Sequence, residues 1–317
     1  MNFTFRRDRC VALIFAAALA SAWVATPLVR AEQGRVFTVQ SEADLKKRAD
    51  SLLKGITDAG GKVTYGSVEK GDKDDGVVIK NVEITGPDNK KVTIEQVDVR
   101  KYDWDNPQKP KHIDFSIKKL VIPPDALDKE AGELGLTSLT INADFDYAFD
   151  DAKKTFEISG IVVDIVELGE VRLKLKLVGL AMADIKNATG DAPPGQKKDD
   201  EAGMKLLANV NLAGATLSFK DKSLVERMIR AEAKKKNMSE QAAKAKMLED
   251  LAEQRKKAED DATREIVDTA IKFLTNPGTI EITSAPGAPA NLMMAFMAIM
   301  SSPGTLKQML GLTVAVK

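Results

Sequence analysis

The chain has 317 residues, 47 basic against 47 acidic, one histidine, one cysteine and 5% aromatic side chains. Balanced charge excludes the basic face that phosphate-backbone binding needs, so nucleic acid is not an expected partner. A single histidine and a single cysteine exclude the familiar zinc ligand sets and most nucleophile–base pairs.

The N-terminus reads as a secretory signal over residues 1–31. Arg6, Arg7 and Arg9 precede the uncharged run Val11–Ala25, and Val29 and Ala31 fit the small-residue pattern at a cleavage site. A second reading stands beside it: residues 11–29 carry no charge and are just long enough to span a bilayer as an inner-membrane anchor. Either way the rest of the chain is expected in the periplasm. Residues 1–31 hold four basic residues (Arg6, Arg7, Arg9, Arg30) and one acid (Asp8), which leaves 43 basic against 46 acidic and no cysteine. Such a chain is held by its own core, without disulfides.

Residues 32–220 are expected to be an antiparallel β-rich region with an N-terminal helix. Ser41 caps a helix over Ser41–Ile56, with Leu45, Ala49, Leu52 and Leu53 on one face. Two strands flank the Gly-Pro-Asp-Asn turn within Gly76–Arg100, with Val92, Ile94 and Val97 or Val99 inward, and a third spans His112–Pro123. His112 is read as a surface residue.

In Ile141–Ser159 the chain places Asp144, Asp146, Asp150 and Asp151 in one short stretch, which raises a catalytic or calcium-binding cluster as a candidate. The calcium loop wants a glycine at its bend and a closing glutamate, and Asp144–Asp151 lacks that glycine. Alternation accounts for the same residues: Ile141, Ala143, Phe145, Tyr147 and Phe149 share one parity and Asp144, Asp146 and Asp150 the other, as on a strand with one wet face. After a turn the chain returns with a bulge expected at Gly160. Val171, Leu173, Leu175 and Leu177 then point inward and Arg172, Lys174 and Lys176 outward.

Residues 184–203 read as a polar Pro/Gly-rich loop, and Leu206–Phe219 as a strand. Residues 221–317 are expected to be a helical region with a closing strand on the same sheet. Ser223 and Glu226 have capping-box spacing, and Asn237 ends that helix. One long charged helix is predicted from Ser239 to Thr275, about 55 Å if unbroken. From Ile282 to Leu306 no residue is charged, and Leu292–Met300 is apolar on every side: a buried helix, a wall of an apolar groove, or a surface for a partner. GLTVAVK closes the chain as a strand.

Two passages carry a family resemblance: LGLTSLTINADFDYAFDDAKKTFEISGIVVDIVELGEVRLKLKLVGL (Leu134–Leu180), and ATLSFKDKSLVERMIRAEAKKKNMS continued by FLTNPGTIEITSAPGAPANL. Together they resemble the YdgA-like and AsmA-like envelope proteins of Gram-negative bacteria, in amphipathic β-meander spacing and without any catalytic signature. The AsmA-like side implies a periplasmic role in moving or organising envelope lipids. This chain is much shorter than the usual AsmA-like bridge.

The fold expected is α+β: an extended antiparallel β-meander forming an amphipathic sheet, with a C-terminal helical segment. No enzyme, catalytic residue, cofactor or metal is expected. The sequence supports an envelope protein that holds lipid or another apolar ligand in the trough of its sheet, lined by Phe145, Tyr147, Phe149, Leu173 and Leu175, with Met293, Met294 and Met297 as lid or wall. The other reading is a structural protein whose long charged helix engages a second envelope component. Alternation alone leaves the choice open, because a filled core and an empty groove have the same pattern.

Overall fold

A computed structural model describes residues 41–73, 75–107, 110–127, 129–181, 200–301 and 303–317. The signal or anchor expected within residues 1–31, and all but the end of the loop expected over 184–203, lie outside them. The architecture is α+β, with an antiparallel sheet of twelve strands and eight α-helices among the described residues. The chain divides into two compact units between Asp144 and Phe145.

The first unit holds α1 (Glu42–Asp58), β1 (Lys62–Thr64), β2 (Ser67–Lys70), β3 (Val77–Thr85), β4 (Lys91–Tyr102), β5 (His112–Ile122), the short helix α2 (Lys129–Glu133) and the start of β6 (Leu139–Asp150). Its strand order is β1-β3-β4-β5-β6, with β2 also beside β3. Ser41 caps α1 as its sequence predicts, accepting from Asp44 N–H while the Asp44 carboxylate accepts from Ser41 N–H. Leu45, Ala49, Leu52 and Leu53 are its buried face. Arg48 is also buried; it donates to Asp75 O at 3.0 Å and lies 4.7 Å over the Trp104 ring.

Strands β3, β4 and β5 share an irregularity. Val77 and Ile79 face the core, and then Val82 and Ile84 do; Val92 and Ile94 do, and then both Val97 and Val99; Ile117 does, and then Leu120. The ladder runs Lys80–Gln96–Lys118 and resumes at Val82–Ile94–Leu120, so Asn81, Glu95 and Lys119 each stand between paired positions. Asn81 (φ 54°) and Lys119 (φ 52°) take left-handed backbone there, and the Lys119 N–H is satisfied by Asn142 Oδ1 at 2.9 Å. One matched step thus flips the inward parity of three neighbouring strands.

The second unit continues from β6 with β7 (Thr155–Ile165), β8 (Gly169–Val178), α3 (Asp200–Asn209), β9 (Asn211–Asp221), α4 (Leu224–Lys236), α5 (Glu240–Lys257), α6 (Asp261–Thr275), β10 (Thr279–Ser284), β11 (Ala290–Asn291), α7 (Leu292–Ser301), α8 (Pro303–Leu310) and β12 (Leu312–Val316). Its strand order is β6-β7-β8-β9-β10-β12, with β11 beside β9. The bulge expected at Gly160 is present: Ser159 and Gly160 oppose Lys174 alone.

Three local expectations are corrected. The strand expected from Leu206 begins at Asn211, because Met204, Leu206 and Leu207, good helix formers, complete α3. Ser223 makes no capping bond; its hydroxyl donates to Glu167 O, and Asp221 accepts the Val225 N–H instead. The long charged helix is two. Ala258 turns extended, and Asp260 starts α6 by accepting from both the N–H and the hydroxyl of Thr263. The helices fold back antiparallel, as the Lys244–Thr275 bond and the Arg255–Asp268 ion pair require. The apolar residues of the stretch lie near its two ends. Folding back buries Ala243, with Met247, Leu248 and Leu251 packed alongside, in one cluster with Phe273 and Leu274. That burial outweighs the continuity of one helix.

The hairpin is expected to loosen in acid. Hydrogen bonds from Thr263 hold the Asp260 carboxyl below its ordinary range, and the Arg255 guanidinium does the same for Asp268. Stabilisation from a lowered folded pKa is complete above the ordinary aspartate range and is lost as the pH falls below it, through the lowered folded value. Amide exchange in α5 and α6, corrected for intrinsic rate, is therefore expected to quicken below that range; protection that stays flat there would refute it.

Candidate functional site

The acidic stretch of β6 has structural partners. Asp144 lies 3.4 Å from Arg100, which also pairs with Asp114 at 2.6 Å. Asp150 closes the following turn by accepting from Lys153 N–H, the main cause of its lowered pKa. His112 opens β5, half-buried.

The apolar side of the second unit's sheet carries two exposed aliphatic side chains, Leu217 and Ile282. Directly opposed residues in antiparallel strands share a face. The ladders run Ile161–Leu173–Leu217–Ile282–Val314, one row across five strands. On one side of it lies Val163–Val171–Phe219–Ile280–Val316, and on the other Ile158–Leu175–Ala215–Ser284.

The flanking rows are half-buried, and the middle row is more open at Leu217 and Ile282. Towards the first flank the Phe273 ring of α6 meets Phe219 edge-on at 6.2 Å. Beyond the second flank, Phe149, Leu180 and Val210 form a buried cluster with Phe156, Leu177, Leu206 and Leu292 packed on it. Over the Ser284 end, Leu310 O accepts the Ser284 hydroxyl, and Lys307 of α8 pairs with Glu265 of α6. Between these covers Leu217 remains 43% exposed and Ile282 39%. At five strands about 4.8 Å apart, the row is roughly 19 Å long.

Gly169 shapes the covered end. A Cβ there would come within 2.6 Å of the Phe219 ring and 2.8 Å of Lys220 O, so the ring can approach β8 this closely only because residue 169 has no side chain. Gly169→Ala is expected to displace Phe219 and cost about 1–3 kcal/mol. Urea titration measures this, and an unchanged midpoint would show that the ring moves freely.

Tyr147 and Phe149 stack against Phe156, with centroids at 5.6 and 6.5 Å, and Phe145 shares their parity, half-buried. Leu173 lies in the open row and Leu175 in the row beside it. Among the described side chains of α7, Ala295 and Ala298 are buried, Met293 is half-buried, and Met294 and Met297 are 57% and 59% exposed. Leu292 packs on the cluster of Phe149, Leu180 and Val210. Sequence reading missed Leu217 and Ile282. Their parity was readable in ATLSF and TIEIT, but their exposure depends on where α6 and α8 come to rest.

Residues 162–317 match a protein family described as "Uncharacterized protein", a stretch that lies within the second unit. No curated protein matches the chain.

Proposed function

We propose that this is an exported, non-enzymatic protein of a bacterial envelope that holds a lipid or another apolar ligand along the row Ile161–Leu173–Leu217–Ile282–Val314. The observation that carries the reading is the exposure of Leu217 and Ile282 in the middle of an apolar face that is otherwise half-buried. The resemblance of Leu134–Leu180 to YdgA-like and AsmA-like proteins supports the periplasmic setting. The competing idea, a partner bound along one long charged helix, is weaker because that helix is folded into a hairpin on its own apolar residues.

Magnitudes set the strength of binding. Covering the exposed remainder of five aliphatic side chains gives about 1 kcal/mol each, or roughly 5 kcal/mol in all. Before ordering costs that corresponds to a dissociation constant of a few hundred micromolar, so tighter binding needs contacts with the flanking rows as well. The site suits a ligand that is taken up and passed on. Native mass spectrometry of protein purified from a membrane-containing extract tests this. Reproducible adducts of phospholipid mass support the reading, and a clean apo mass after exposure to phospholipid vesicles refutes it.

A further inference from the structure

Strand β12 pairs with β10 on one side, and among the described residues the strand order ends there. The bonds at both ends of this ladder fix the direction of its free groups. Thr279 and Lys317 exchange both N–H···O bonds, and Ala285 donates to Gly311 O. Antiparallel ladders alternate, so Thr313 and Ala315 also turn towards β10, while the N–H and C=O of Leu312, Val314 and Val316 turn away from it.

Free edges are usually blunted by a lysine, a proline, a bulge or a very short strand. In the first unit β1 has three residues and begins with Lys62. Strand β12 has none of these devices: Leu312–Val316 is uncharged, lacks proline and keeps an unbroken register. Its nearest charges are already engaged, Lys317 with Glu281 and Lys307 with Glu265.

We infer that β12 is where two copies of this chain join, edge to edge and antiparallel, about a two-fold axis through Val314. The strand is complementary to itself in that arrangement. Val314 meets Val314 of the second copy, and Leu312 meets Val316, each pair exchanging two backbone hydrogen bonds. The neutral edge offers nothing to select a charged partner strand. The pairing also continues the open row, since Val314 is its last member: the row of one copy runs on into that of the other. The interface is independent of what the row holds.

Sedimentation velocity of the full chain from an exporting host, over a range of concentrations, tests the proposal. Wild type is expected at twice the chain mass. Val314→Pro removes only the outward N–H and leaves the bonds to β10 intact. Val314→Lys sets like charges face to face across the axis. Both variants are expected to raise the dissociation constant at least about ten-fold, with unchanged circular dichroism. If the proline variant does not fold, the lysine variant decides. A wild type of single-chain mass at every concentration overturns the inference, and so does a dimer that survives the folded variants.

Discussion

Leu217→Glu and Ile282→Glu are expected to abolish phospholipid adducts while shifting the thermal midpoint little. Both side chains are already well exposed, so a carboxylate at either position reaches water in the free protein. In the complex it would lie beneath an apolar ligand, where an ionised group must either be desolvated or keep the ligand away. The same change at Leu173 is less informative, because that residue is more covered and the fold would suffer with the site. Retained adducts in folded Leu217→Glu and Ile282→Glu would move the ligand elsewhere or remove it.

Ile79→Ala is expected to cost about 2–5 kcal/mol, read from the urea midpoint of the first unit's transition. Ile79 is 0% exposed and lies in the row Ile79–Val97–Ile117. With Val77, Val82 and Val99 it makes up the largest fully buried side chains, and all four belong to the first unit. A loss below about 1 kcal/mol would mean that the cavity collapses. The contrast between the units bears on function. One sheet face is filled by its own side chains; the other carries the same alternation but leaves its middle row half bare.

That contrast marks the limit of what was legible. Alternation located β6, β7 and β8 and gave the inward parity of Phe145, Tyr147, Phe149, Leu173 and Leu175, because a one-residue slip would invert every side chain. Gly160 marked its bulge, and Ser41 its helix. The break at Ala258–Asp260 was hidden in EQRKKAEDDATRE, where strong helix formers run on both sides and the capping aspartate stands beside a second one. Exposure of the open row was hidden for a different reason. It depends on α6 and α8, elements far away in sequence, and no local pattern records where they land.

The matched step through Asn81, Glu95 and Lys119 has a consequence for how the first unit folds correctly. In a regular sheet a strand displaced by two residues keeps its apolar side inward, so the error carries little penalty and can persist as a trap. Here a two-residue displacement of β4 would set Glu95 against a normally paired residue, and would leave the left-handed Asn81 and Lys119 facing positions that expect a ladder bond. The three strands therefore share one alignment in which all their irregularities coincide. A hairpin misthreaded by two residues would lose that alignment even though its apolar side still faced inward.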